Sequence, residues 1–238
     1  VRAATSLPKT TKSDAVRAMF TRIAGRYDLM NALMTAGRHH AWRAVAARAA
    51  VAAPPGPILD LATGTGDLAL AIRKLDPRRE IIGADFAEAM LQAAAQKPAV
   101  RASAIPLLGA DALALPFRNG TFAAVTSAFL LRNLEDLRAG LQEMRRVTRP
   151  GGRVVTLEIT PPGIPIWSQL FGLYFRKVVP AIGAVVARDR QAYTYLPDSV
   201  DRFLTPRELA TLMRAVGYRD ASYVRLGLAT IAVHTATV

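Results

Sequence analysis

Three carboxylates stand at or just beyond the ends of three successive short apolar runs, in a spacing that suits a nucleoside. Asp60 lies near the end of Ile58–Leu61, Asp85 directly follows Glu80–Ala84, and Asp111-Ala112 follows Ile105–Leu108. Between the first two runs the chain reads Ala62-Thr63-Gly64-Thr65-Gly66-Asp67. Glycines at such a turn let the backbone pass close to a ligand, and the helix that follows offers unpaired N–H groups. A carboxylate has two oxygens, so Asp85 is placed to accept both hydroxyls of a ribose. Asp60 would lie near the cationic amine of a cofactor, in a position that repels a pyrophosphate. Asp111 is suited to reading an adenine amino group. Together the three acids favour a cationic nucleoside. Gly64-Thr65-Gly66-Asp67-Leu68-Ala69 also satisfies the G-x-G-x-x-A pattern, which keeps a dinucleotide site open.

These acids need strand ends to hold them, and from residue 58 the pattern supplies strands. Ile58–Leu61 is followed by a helix over Leu68–Leu75, Glu80–Ala84 by a helix over Ala87–Gln96, and Ile105–Leu108 by a loop. Phe122–Ala128 is the fourth strand, Leu134–Val147 a helix, Arg149–Gly152 a turn and Arg153–Ile159 the fifth strand. Such alternation predicts a mostly parallel sheet covered on both faces. Residues 161–199 break the pattern with prolines and with Trp167, Phe171, Tyr174, Phe175, Tyr193 and Tyr195. Thr205 and Glu208 form a capping-box pattern for a helix to about Ala215. Ser222–Leu226 and Thr230–Thr235 read as a hairpin. Ahead of the first strand, residues 1–12 read as a mobile tail. Helices are expected over Ala15–Ala24 (capped by Ser13 or Asp14), Tyr27–Met34 and His40–Ala53, before Pro54-Pro55-Gly56-Pro57. The division is therefore a tail and helical lid over 1–55 and one large domain over 56–238, with an aromatic-rich insertion over 161–199 on the substrate side.

Several runs resemble the ubiquinone/menaquinone C-methyltransferase family. They are Met19-Phe20 with Ile23–Asn31, Leu59–Asp67, Gly83-Ala84-Asp85-Phe86, Asp111 with Leu115-Pro116-Phe117, and Phe129-Leu130-Leu131-Arg132-Asn133. Arg146-Val147 with Pro150-Gly151-Gly152, and Tyr193, Tyr195-Leu196, Ser199 and Phe203, extend the likeness from about residue 17 to the end. The resemblance implies the class I methyltransferase fold, Rossmann-like, with a seven-stranded, mostly parallel sheet and a C-terminal antiparallel hairpin. It implies S-adenosylmethionine contacts from Thr65, Asp85, Asp111 and Ala112, beside Asp60, Gly64, Gly66 and Phe86. The family often has a contact residue just before the Phe of Phe-x-Leu-Arg-Asn. Here that position is Ala128, with Ser127 one place earlier as the polar candidate, and Leu130 replaces a usual glycine.

What the resemblance implies chemically is transfer of a methyl group to a ring carbon of a prenylated demethylmenaquinol, or of a ubiquinone-precursor benzoquinol. The ring must be held near attack distance, shielded from water, and relieved of a hydroxyl proton. Arg132 and Asn133 are the candidates beside the acceptor: an arginine is a poor base but can stabilise a developing naphtholate or orient a water. An ion pair between Arg132 and Glu135, Asp136 or Glu158 is the competing reading. Tyr27, His40, Tyr193 and Tyr195 are candidates for holding a substrate hydroxyl. The aromatic insertion and the N-terminal helices would wall a prenyl tail.

Composition narrows the rivals. The 238 residues contain no cysteine, which excludes thiolate metal sites, disulfides and the cysteine-dependent route to pyrimidine C5 methylation. The three histidines suggest no metal site. A formal charge of +13 favours polyanions, meaning nucleic acid or an anionic bilayer. The amino-methylating nucleic-acid enzymes need an Asn/Asp-Pro-Pro-aromatic motif after the fourth strand, where this chain has Phe129–Asn133. No nucleic acid is therefore expected, and an anionic membrane surface is. The longest apolar run, Val178–Ala187, has ten residues and contains Pro180 and Gly183, too short to span. No signal peptide is read in the charged, Thr-rich start, and the true start is expected upstream of Val1. The expected place is cytoplasmic, peripheral on the inner face of the membrane, with a homodimer possible. A dinucleotide oxidoreductase and a non-catalytic scaffold remain as alternatives.

Overall fold

The structure, a computed structural model, describes residues 11–162, 171–184 and 190–238, the side chains of 190–193 excepted. Strand β1 (Ile58–Leu61) is buried along its whole length because the sheet is covered on both faces. Six strands join it: β2 (Ile81–Asp85), β3 (Leu107–Gly109), β4 (Phe122–Ala128), β5 (Thr148–Ile159), β6 (Arg219–Leu226) and β7 (Ile231–Thr237). Their order is β3-β2-β1-β4-β5-β7-β6. The first five are parallel, and β7 runs antiparallel to both β5 and β6. The direction of winding reverses between β1 and β4. At such a reversal the strands' carboxyl ends open a crevice.

Helices α1 (Lys12–Ile23), α2 (Tyr27–Thr35) and α3 (His39–Val51) precede the sheet. The others are α4 (Asp67–Leu75), α5 (Glu88–Gln96), α6 (Pro98–Ala102), α7 (Leu137–Val147), α8 (Val179–Ile182), α9 (Arg190–Asp201) and α10 (Pro206–Ala215). The alanines Ala46, Ala47 and Ala50 let α3 lie close on the sheet, packed with α4 against Ile58, Ala124 and Val155. The other sheet face packs Leu61 and Val125 against Leu141 and Met144 of α7 and Leu209 and Met213 of α10. A third cluster joins Met19, Ile23 and Met30 of the N-terminal helices to Met90 and Val179. So α3 belongs to a sheet layer, while α1 and α2 cross the carboxyl edge. No helix of the described residues is long and apolar enough to cross a membrane.

Several boundaries differ from the sequence pattern, each for a local reason. Helix α1 is capped by Thr11, whose hydroxyl accepts from Asp14 N while Asp14 accepts from Thr11 N, so Ser13 and Asp14 lie inside it. The expected tail falls on residues 1–10, outside the described residues. Helix α7 starts at Leu137, capped by Asp136, because Leu131–Asn133 forms a separate 3-10 turn. Strand β3 is displaced to Leu107–Gly109 by its pairing with Gly83–Asp85. Strand β5 runs through the expected Arg149–Gly152 turn, and the register shift between Phe122 and Ala124 absorbs the extra residues. Gly152 makes this possible: a Cβ there would lie 2.8 Å from the carbonyl oxygens of Ala123 and Arg149. The Thr205–Glu208 capping box is present as expected. Of the insertion, Trp167 lies outside the described residues.

Candidate active site

At the mouth of the crevice, β1 delivers Asp60 into the interior. The residue is 1% exposed, and its two oxygens accept from Thr63 Oγ1 at 2.7 Å and Thr126 Oγ1 at 2.7 Å. Burial pushes its carboxyl up to about 6, against the opposing pull of those hydroxyls and of Arg43. Asp60 thus ties the glycine turn to β4. It is not on the wall of the cleft above. The turn bends through left-handed Ala62, Gly64 and Gly66, and Gly66 leads into α4.

Asp85 is the acid that reaches the cleft. Its oxygens accept from Gly64 N at 2.8 Å and Ala87 N at 2.9 Å, and burial raises its carboxyl above the ordinary range. Each oxygen keeps lone-pair capacity, so a diol can still be held. Phe86, Asp111, Ala112 and Ala128 line the same cleft with Gly64. Asp111 accepts from Leu113 N at 2.9 Å and lines the cleft with Asp85. Besides Asp60, three more sequence candidates lie elsewhere. Thr65 is buried and donates to Asp28 Oδ1 at 2.6 Å, so its hydroxyl faces α2. Gly66 serves the start of α4. Ser127 is fully buried and lines neither cavity, and its hydroxyl has no partner among the described residues. Ala128, the next residue, lines the cleft instead.

The cleft is narrow, about 60 Å³, because Ser13, Val16 and Phe20 of α1 and Tyr27 of α2 close over it. Lys12 Nζ pins α1 by donating to the carbonyls of Arg132 at 3.2 Å and Leu134 at 2.6 Å. Asp28 pins α2 through Lys97, whose Nζ also reaches Asp67, both at 2.7 Å. Ligand pockets typically hold several hundred Å³, so a nucleoside enters only when α1 gives way. The chemistry of the wall, a diol-binding carboxylate and a second acid at the neighbouring strand end, fits an adenosine.

Behind Phe129 lies a second cavity of about 640 Å³. Its walls are mostly apolar, with Met19, Ile23, Met34, Trp42, Ile159 and Phe175 among them. Phe20, Tyr27, Phe129 and Asn133 belong to both cavities. Phe129 stands on this boundary with a left-handed φ of 62°, unusual for a bulky residue. Arg132 Nη1 donates to its carbonyl at 2.8 Å, and Asn133 Nδ2 at 2.9 Å. The same Nη1 lies 3.0 Å from Glu158 Oε2, and Glu158 is fully buried with its other oxygen on Leu131 N. Arg132 therefore does form the competing ion pair, with Glu158, while also lining the large cavity. Tyr195 donates to Asn133 Oδ1 at 3.2 Å. Tyr193 lies in α9, its side chain outside the described residues.

His40 requires correction: it is exposed and lines neither cavity, while His39, one residue earlier, is 2% exposed and lines the large one. A helix turns about 100° per residue, so only one of two adjacent histidines can face inward. Asn31 also lines this cavity and was not anticipated, nor was Phe129 as the partition.

The profile of the ubiE/COQ5 methyltransferase family matches residues 8–238. The chain is 46% identical over 211 residues to a demethylmenaquinone methyltransferase of Deinococcus radiodurans, covering 89% of this chain and 88% of that one. It is 44% identical over 216 residues to the demethylmenaquinone methyltransferase of Thermus thermophilus, covering 91% and 98%. A ubiquinone/menaquinone biosynthesis C-methyltransferase of Desulfotalea psychrophila is 42% identical over 224 residues, covering 94% and 90%. Among solved structures, the [4+2]-cyclase SpnF superposes with a TM-score of 0.70 at 16% identity, covering 98% of each chain. Human N-acetylserotonin methyltransferase in complex with S-adenosylmethionine gives 0.65 at 18% identity, covering 98% of this chain and 60% of that one. These two likenesses concern the fold alone.

Asp60 yields a test of this geometry. A carboxyl raised from 3.8 to about 6 in the folded state favours folding while it is protonated, and that contribution is lost as pH rises through this window. Asp60→Asn carries no such titration. Relative to wild type, its stability should therefore rise by roughly 2–3 kcal/mol between pH 4 and pH 6.5, at about 1.4 kcal/mol per unit. Parallel urea titrations across that range measure the difference, and a constant offset would remove the burial argument.

Proposed function

This chain belongs to the ubiE/COQ5 methyltransferase family, and on that premise we propose that it C-methylates the ring of a prenylated demethylmenaquinol. It is an S-adenosylmethionine-dependent methyltransferase. The observation that carries the substrate reading is the pair of abutting cavities, one narrow and acidic, one large and apolar, with four residues common to both. Relatives with high identity and nearly full coverage are demethylmenaquinone methyltransferases.

S-adenosylmethionine, when bound, supplies an electrophilic methyl on a sulfonium. Asp85 binds the ribose hydroxyls and Asp111 lies toward the base. Phe20, Tyr27 and Phe129 bring the two ligands together and exclude water from between them. Arg132 has Nη1 committed to Phe129 and Glu158, which leaves Nη2 for an oxygen in the large cavity. Negative charge that develops on that ring oxygen as the ring carbon is methylated meets a guanidinium already held by Glu158, which need not reorganise. The apolar walls take the ring and the first units of the tail, each buried CH₂ worth about 0.8 kcal/mol.

The decisive assay gives purified protein labelled S-adenosylmethionine with reduced demethylmenaquinone, a ubiquinone-precursor benzoquinol, or RNA. Label should enter the naphthoquinol ring. Transfer to RNA, or binding of NAD in place of S-adenosylmethionine, would overturn the reading.

The reading also includes a bilayer. Leu33 and Leu228 line the large cavity and are exposed, and Leu29 lies one turn before Leu33 on α2. Arg38 lines the cavity too. Apolar side chains beside a basic one suit peripheral contact with anionic lipid, from which a prenylated ring could enter. Flotation should recover the protein with anionic vesicles and lose it as salt rises. Equal recovery with neutral vesicles at low salt would count against this.

For Arg132, the ion pair changes what mutation must show. Arg132→Gln should lower the methylation rate about a hundredfold or more and also destabilise the protein by several kcal/mol, since Glu158 is left buried and unpaired. Adding Glu158→Gln should restore the melting temperature and leave the rate low. Recovery of both together would assign Arg132 a structural role only.

A further inference from the structure

We propose that His39 selects the reduced, dihydroxy form of the acceptor ring by presenting it with a hydrogen-bond acceptor and no donor. This rests on the reading of the large cavity as the quinol site and adds the residue that senses the ring's redox state.

The hydrogen bonds around His39 determine which of its nitrogens carries the proton. Thr35 Oγ1 lies 2.6 Å from the carbonyl oxygen of Asn31, an atom that can only accept, so the hydroxyl donates there. The same Oγ1 lies 2.8 Å from His39 Nδ1. A hydroxyl has one proton, and this one is already used, so Nδ1 must be the donor in the second contact. The backbone N–H of His39 also points at Oγ1, at 3.4 Å. A neutral imidazole protonated on Nδ1 carries its lone pair on Nε2. The ring does stay neutral: burial, with Arg43 and His40 close by, pushes its imidazole down to about 4. Nε2 has no hydrogen-bond partner among the described residues, and the ring lines the large cavity.

Nε2 is the strongest acceptor among the polar groups of that cavity. The hydroxyls of Tyr174, Tyr195 and Thr230 donate to Met34 O, Asn133 Oδ1 and Gly227 O and keep only weaker lone pairs. Asn133 has its amide on Phe129, the Asn31 amide can meet either form of the ring, and Arg132 brings only donors. A quinol hydroxyl donates to Nε2. A quinone carbonyl has no proton to give, and its lone pairs would face that of Nε2. Sites built to bond a substrate O–H reject analogues that lack it far more strongly than apolar pockets reject a change of size. The selection matches the chemistry. A ring carbon is nucleophilic only while the ring oxygens push electron density into it, whereas the carbons of the quinone are electrophilic. His39 would thus keep an oxidised ring, which cannot be methylated this way, from occupying the site.

The test is anaerobic calorimetry with 1,4-dihydroxynaphthalene and with 1,4-naphthoquinone. The chain has no cysteine for the quinone to alkylate. Wild type should bind the dihydroxy compound at least tenfold more tightly. Thr35→Val removes the partner that holds the proton on Nδ1, and His39→Gln offers either a donor or an acceptor. Both variants should narrow the preference to within about threefold, chiefly by gaining affinity for the quinone, with melting temperatures recorded to establish that they fold. No preference in wild type overturns the proposal, as does a wild-type ratio in folded His39→Gln with both affinities shifted alike. Wild type binding neither compound would instead defeat the reading of the cavity itself.

Discussion

The carbonyl oxygen of Phe129 accepts from Arg132 and from Asn133, and both cavities depend on that grip. A phenylalanine in the left-handed region costs of order 1–3 kcal/mol and persists only where its surroundings over-determine it. Here the surroundings are the two donors just named, and the buried Glu158 that holds one of them. The cost is met because the bend turns the chain off the end of β4 and stands an aromatic ring between the two cavities. The boundary between a polar cleft and an apolar cavity is therefore maintained by a hydrogen-bonded loop, not by a rigid element. The first tests of that loop are electrostatic, because Glu158 is stable in the core only as Arg132's partner or as a neutral acid.

A second set of ions decides how the cleft opens. Thr65 and Lys97 both hold Asp28, Lys97 also holds Asp67, and Arg43 lies 3.7 Å from Asp67. This chain of contacts ties α2 to the glycine turn and to the start of α4. At its other end α1 has Lys12 on two carbonyls and Ser13 on Glu135 as polar ties, beside Arg17 over the Phe86 ring and the packing of Met19 and Ile23. Exposed contacts of that kind contribute little net stability, while the partly buried network around Lys97 is screened less. The polar ties are thus weaker at α1 than at α2, where the network around Lys97 keeps Tyr27, on the wall of both cavities, in place.

How much of this was legible in the sequence follows from which forces act locally. Strand–helix alternation, the glycine turn and the Thr205–Glu208 capping box are local patterns, and each has its counterpart in the structure. Boundaries set by partners were not legible. Strand β5 begins early because β4 accepts a bulge, and α7 begins late because Arg132 and Asn133 turn inward first. Among the site residues, the acid at the end of β2 reaches the cleft, whereas Asp60 is consumed by two threonines, one of them 66 residues away. No spacing rule predicts that the more strongly placed acid will be spent on the scaffold. His39 and His40 show a finer limit. Adjacent residues on a helix differ by 100° in direction, and an alanine-rich segment has too weak an apolar stripe to say which one faces inward.

The division of labour in the large cavity has a physical consequence for specificity. Apolar surface rewards almost any tail, at a rate that depends on area and not on identity, so the walls supply affinity without choosing a ring. Choice has to come from the few polar groups, and in an apolar surrounding each of these acts strongly because an unmet donor or acceptor is costly to bury. Among them are a guanidinium fixed by a buried carboxylate and an imidazole whose tautomer is fixed by a threonine. Neither can reorient without losing its own partner. A guanidinium tolerates both a hydroxyl and a carbonyl oxygen, since either accepts. The imidazole, which can only accept, distinguishes them, so the redox state of the ring is read on a helix that otherwise serves the core.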